Sequence, residues 1–216
     1  MHDMLRDICI RKCAEDMFLY GPNKFTFSNP RRMSFHTSNE LEDVNDSTES
    51  MSLTRSVIFT GFQNAEFPPE AFFATILLRV LDLTNMRFSY FPTVIFELVN
   101  LRFLGIDCKS SIPRGISRLW NLQTLIAYCD IDEPSELWKL SELRYLKMDE
   151  IELLKDEEMN YSVLKKLQRI SVCPSEKEAT TWDGFLKSIP NIKKLSIDDR
   201  YRTKSTAIDL SHLHKL

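Results

Sequence analysis

Glycine is scarce in this chain, 5 in 216 residues, and that scarcity removes several functions at once. No G-x-x-x-x-G-K-[ST] loop and no G-x-G-x-x-G turn is present, so no glycine loop cradles a nucleotide phosphate on backbone amides. Nothing matches G-x-S-x-G, H-E-x-x-H or an EF-hand loop. The four histidines, His2, His36, His212 and His214, stand beside no cysteine or serine in a nucleophile–base arrangement. The sequence therefore gives no basis for an enzyme or a metal site. No apolar run reaches the ~18 residues that suggest a membrane-spanning helix. The opening stretch MHDMLRDICIRKCAEDM is charged throughout and lacks the apolar centre of a secretory signal. The 5 cysteines are an odd number with no paired spacing, so a disulfide framework is not expected. A net charge of −3 makes no case for a nucleic-acid partner, which would call for a basic stripe. Together these absences predict a reduced, cytoplasmic chain, with peripheral membrane association left open.

What the chain does have is repetition. From Leu101 the wording LRFLGIDCKSSIPRGISRLWN is followed by LQTLIAYCDIDEPSELWKLSE and LRYLKMDE. Leu101, Leu104 and Ile106 return as Leu122, Leu125 and Ala127, then as Leu143, Leu146 and Met148. This is the leucine-rich repeat pattern L-x-x-L-x-L at a period inside its usual range. In it a short strand turns alternate apolar side chains inward, and a return segment (Ile112, Ile116, Leu119) closes the coil. Extended outward, the phase places starts near Thr54, Leu78, Leu101, Leu122, Leu143, Leu167 and Ile192, with Leu216 opening the next; the spacing runs from 21 to 25 residues. One coil cannot cover its own apolar face, so neighbours must stack. The expected fold is an α/β solenoid of about seven repeats carrying a curved parallel sheet. Since Leu216 brings no polar closing cap, the natural protein is expected to continue. Cys108 and Cys129 hold equivalent places just past successive strands, which predicts small buried thiols.

Three segments precede or interrupt the repeats. Residues 1 to about 20 read as an amphipathic helix, with Leu5, Ile8, Cys9, Cys13 and Met17 on one stripe, stopped by Gly21-Pro22 in a segment ending at residue 22. Residues 23–50 read as a linker with a cap strand over Arg32 to His36, followed by the acidic stretch NELEDVNDSTES. The glycosylation triplets at Asn45 and Asn160 are expected to go unused without a secretory signal. The loop from Asp149 to Asn160 is acidic, and the last turn is basic through Lys193, Lys194, Arg200, Arg202 and Lys204. Both are compatible with plain solvated faces and with charge that steers a partner.

Residues between the inward leucines should line the concave surface. Asp82, Phe103, Asp107, Ile126, Tyr128, Tyr145, Lys147, Arg169 and Lys194 are the candidate protein-binding residues. Phe103, Ile126, Tyr128 and Tyr145 form an aromatic and aliphatic strip suited to protein recognition, or to being covered by a neighbouring domain.

With helix and repeats placed, the chain resembles plant intracellular nucleotide-binding leucine-rich-repeat disease-resistance proteins. MHDMLRDICIRKCAEDMF resembles the segment around their Met-His-Asp motif. NPRRMSFH, LRVLDL, FPTVIFELVNLRFL and IPRGISRLWNLQTL resemble the late-blight-resistance group. The resemblance implies that His2 matches the motif histidine that contacts the phosphate of bound ADP in the family. It also places the phosphate-binding loop, the magnesium-binding acidic motif and the coiled-coil domain before Met1, so the chain alone is expected to bind no nucleotide cofactor. The implied partners are the receptor's own nucleotide-binding domain and a pathogen effector or guarded host protein, with defence and hypersensitive cell death as the output. A stand-alone repeat scaffold or a ubiquitin-ligase substrate adaptor is the alternative; no F-box is visible. A secreted receptor ectodomain would need a signal peptide, paired cap cysteines and the L-x-G-x-I-P pattern, none of which is present.

Overall fold

Alternation within each L-x-x-L-x-L segment is the signature of a half-buried strand, and successive segments, each too short to form a core, pair side by side. The structure is a computed structural model and describes residues 18–20, 31–35, 53–61, 76–151, 164–174 and 189–197. Among the described residues nine strands form one parallel sheet whose spatial order is the chain order. They are β1 (Phe18–Tyr20), β2 (Arg32–Phe35), β3 (Ser56–Phe59), β4 (Val80–Phe88) and β5 (Phe103–Cys108), then β6 (Thr124–Tyr128), β7 (Tyr145–Ile151), β8 (Arg169–Pro174) and β9 (Lys194–Ile197). Register follows the repeat phase: Leu81, Leu104, Leu125, Leu146, Ile170 and Leu195 pair in one row from β4 to β9.

Two differences stand at the beginning of the sheet. The helix expected over residues 1–22 lies outside the described residues except for Phe18–Tyr20, and these form a strand. The correction has a physical reason: two aromatics and a leucine favour extended structure, and β1 gains a parallel partner in β2, with Leu19 opposite Met33. The expected cap strand is present as Arg32–Phe35 with Met33 and Phe35 buried, but β1 lies outside it. Phe35 stacks on Phe59 at 5.0 Å between centroids. Thr54 occupies a leucine position fully buried, and its hydroxyl donates to the Met33 sulfur at 3.6 Å, which lets a polar group sit in the column.

The core is a stack of such columns. Leu78, Leu101, Leu122, Leu143 and Leu167 are sealed from solvent. Ala127 sits between Ile106 and Met148, a small residue flanked by larger ones. Short 3-10 turns at Thr93–Glu97 and Ile116–Arg118 and a helical turn at Pro134–Leu137 carry the return segments. Phe91 and Phe96 stack at 5.0 Å. Gly115 adopts φ +119 directly over Phe96, whose ring would lie 3.0 Å from an added Cβ; positive φ and contact together require glycine there. The β4–β5 register shifts between Leu83 and Arg87, and within this insertion Asn85 Nδ2 donates to the Phe59 carbonyl at 2.9 Å.

Leu125 and Leu146 are fully buried in adjacent central coils. Replacing either by Ala should cost about 2–5 kcal/mol, measured by chemical denaturation of each variant. An unchanged midpoint for both would mean that the columns are not the core.

Candidate protein-binding face

Side chains pointing away from the core form rows across the sheet. Phe103, Thr124, Tyr145, Arg169 and Lys194 make one row. Asp82, Gly105, Ile126, Lys147, Ser171 and Ser196 make the next, and Asp107 pairs with Tyr128 in a third. Phe103, Ile126, Tyr128, Tyr145 and Lys147 are half-buried, while Arg169 and Lys194 are exposed. The anticipated strip is therefore a patch over three rows, with Thr124 between Phe103 and Tyr145.

Lys147 is the centre of this patch. Its ammonium donates to the Tyr128 hydroxyl at 2.8 Å and lies 4.7 Å from that ring's centroid. The hydroxyl contact raises the Lys147 pKa above its ordinary value, against the opposing effect of burial. The cation is thus fixed on the face, with an aromatic ring oriented by it.

Asp82 is committed elsewhere. Its carboxylate accepts from the Thr84 amide at 3.1 Å and the Thr84 hydroxyl at 2.7 Å, so both side chains crowd Gly105. A Cβ on Gly105 would lie 2.7 Å from Asp82 Oδ1 and 2.8 Å from Thr84 Cγ2. Asp107 lies 3.8 Å from Arg87. Burial pushes its carboxyl up, Arg87 opposes this and Asp149 adds to it. Below the face, Cys108 and Cys129 are buried free thiols. The Cys108 thiol donates to the Ser110 carbonyl at 3.2 Å, and its contact with Cys129, together with burial, pushes the Cys129 thiol up.

Sequence reasoning missed a second set of side chains. Asn100, Asn121 and Asn191, each just before a coil's first apolar residue, donate to the Ile76, Val99 and Lys165 carbonyls at 2.8–3.0 Å. They close the turns of successive coils. Their signal was the Asn-Leu or Asn-Ile pair at repeat starts. His2 lies outside the described residues. Among the described residues no group of three His, Cys, Asp or Glu could hold a metal, and no helix is long and apolar enough to cross a membrane.

Stacked parallel strands, leucine columns and turn-closing asparagines define a leucine-rich repeat solenoid. Residues 54–216 match the family described as "Leucine-rich repeat region", and the chain belongs to that family. Its sequence is similar to plant disease-resistance proteins. Two putative late blight resistance protein homologs of Solanum demissum are 29% and 30% identical over 213 and 216 residues, 90% of this chain in each case. A probable disease resistance protein of Arabidopsis thaliana is 29% identical over 167 residues, 68% of this chain and 18% of that protein. The chain spans only 16% of each Solanum relative. In fold it is similar to a leucine-rich repeat protein of Leptospira interrogans, with a TM-score of 0.55 at 19% identity over 80% of this chain and 42% of the other. An internalin of Listeria monocytogenes gives 0.53 at 13% identity over 86% and 59%. The repeat fold is generally a non-catalytic scaffold for protein interaction.

Two predictions concern the face itself. Gly105→Ala should destabilise the chain by about 1–3 kcal/mol, and adding Asp82→Ala should recover part of the loss in a double-mutant cycle; additive costs would contradict the contact. The raised Asp107 pKa means that the folded state holds this proton more tightly than the unfolded chain. Its contribution to stability is fully present below the ordinary value of 3.8 and is lost as pH rises through the higher folded value. Asp107→Asn should remove that loss, so the stability of the variant relative to the parent should rise across this window. A difference that stays flat with pH would count against it.

Proposed function

We propose that the chain is the interaction and autoinhibitory repeat region of a plant immune receptor. In this reading the open face around Tyr128, Tyr145 and Lys147 recognises a pathogen effector or a guarded host protein. The same repeats pack on the receptor's nucleotide-binding domain and favour its resting state, which is differential binding to one of two states. The carrying observation is the half-buried aromatic patch with its fixed lysine on a sheet whose sequence relatives are disease-resistance proteins. Asp82, tied to Thr84, serves that face as a support; Phe103, Asp107, Ile126, Arg169 and Lys194 flank the patch. His2, by the same resemblance, would donate to an ADP phosphate only when that domain is present, and the chain alone takes no cofactor. Defence signalling and hypersensitive cell death belong to the full-length receptor, in the cytoplasm.

The test is a pull-down of this chain with the nucleotide-binding portion of a Solanum demissum relative, with and without ADP. Expected is retention that strengthens with ADP and falls for Tyr128→Ala combined with Lys147→Glu. A well-folded chain that ignores that domain under both conditions would overturn the autoinhibitory role and favour a stand-alone scaffold.

A further inference from the structure

The residue after each coil's first apolar position has its own column, and most of that column is cationic. Backbone amides chain it together: Arg55 to the Arg31 carbonyl, Arg79 to Arg55, Arg102 to Arg79, then Gln123, Arg144, Gln168 and Lys193 in turn, at 2.7–2.8 Å. Adjacent members are thus one strand spacing apart, roughly 4.8 Å. Arg31, Arg32, Arg55, Arg79, Arg102 and Arg144 are all exposed, and none makes an ion pair among the described residues. Glu97 and Glu142, the described carboxylates in the turns of this edge, are already held by Arg118 and Lys166.

Two further observations sit on the same edge. Arg31, Arg32, Arg55 and Arg79, with Ser56 and Val80, line a cleft of about 310 Å³. Beside the cations runs an apolar row. Of the six exposed large hydrophobics among the described residues, Leu53, Ile76, Leu77, Val99 and Trp120 lie in the turns leading into the strands, and only Tyr90 lies elsewhere. Ile76 and Trp120 are 65% and 62% exposed. A row of uncompensated guanidinium groups alongside a row of bare aliphatics and a tryptophan is the composition of a protein interface rather than of a solvated rim.

We propose that this leading edge of the solenoid docks an acidic, partly apolar polypeptide segment of a partner protein. Arginine in place of lysine suits paired carboxylates, since its planar fork takes two oxygens at once. The cleft between the arginine stems is concave and seats a single side chain, whereas a bilayer surface would meet a flat or protruding basic patch. The aliphatic row would find apolar side chains in a polypeptide, whereas single-stranded nucleic acid would require several stacking aromatics, and among the described residues Trp120 is the one exposed aromatic in these turns. The cleft borders the open face, since Arg32, Ser56 and Val80 share a row with Phe103. The arginine column and its apolar turns precede the strands, so the proposal stands whether or not the patch around Tyr128 and Lys147 recognises an immune ligand.

The test uses the full chain and a fluorescent synthetic peptide of repeated Glu-Glu-Leu, followed by anisotropy. Expected is saturable binding that weakens as salt rises. Combined Arg55→Glu, Arg79→Glu and Arg102→Glu should weaken it by at least about tenfold, with an unchanged circular dichroism melt because all three side chains are exposed. Ile76→Ser with Trp120→Ser should weaken binding and leave its salt dependence as before. Absence of binding, or equal binding by the charge-reversed chain, would overturn the proposal. Tighter binding of oligothymidylate or of phosphatidylserine vesicles would overturn it in favour of those anions. Amide replacement of Glu40, Glu42, Asp43, Asp46 and Glu49 distinguishes the last occupant: unchanged affinity supports an outside partner, and a gain of about tenfold would assign the edge to this chain's own acidic stretch instead.

Discussion

The structure depends on the fact that no single coil can bury what it carries. A strand of three to nine residues with alternate apolar side chains has an apolar face and unpaired amides on both flanks. The neighbouring coil satisfies both needs with the same act of stacking: the parallel ladder takes up the amides, and the leucine columns close over each other. Every other feature is subordinate to that act. Thr54 is tolerated in a leucine column because Met33 offers its sulfur. Gly115 is required because the return segment of the coil before it presents Phe96. Asn100 and Asn121 earn their place because each closes a turn against the carbonyl of the coil before it.

The repeat core was legible because it is periodic. Leu78, Leu81 and Leu83 recur in kind at Leu101, Leu104 and Ile106, and a slip of one residue would turn the whole set to solvent. The open-face candidates followed from the same alternation, and the ladder sets them in rows across the strands. Their chemistry was less legible. That Asp82 is spent on Thr84 while Lys147 is fixed by Tyr128 depends on rotamers and on cross-strand neighbours about 20 residues away in sequence. The strand at Phe18–Tyr20 was hidden for another reason: three residues are too few to show a period of two, and the helical stripe before them dominates the window.

Charge illustrates how a solenoid separates what composition mixes. The net value of −3 conceals a line of cations along one edge. A repeat sorts residue types by position within the coil, so a preference for arginine after the opening apolar residue becomes a continuous line in space. The Leu-Arg pair at 78–79, 101–102 and 143–144 was visible as wording; its meaning as a surface required the backbone ladder that sets those residues one strand apart.

The order of the strands in space is the order of the strands in the chain, and this bears on how the molecule is made. Each coil docks on material that has already left the ribosome and offers its other flank to the coil that follows. Its partners lie one repeat away on either side, so the loops closed during assembly stay short and the search for each contact stays local. The template for a new coil is the exposed edge of the last one. Growth of the polypeptide and growth of the folded body can then proceed in the same direction, one coil at a time.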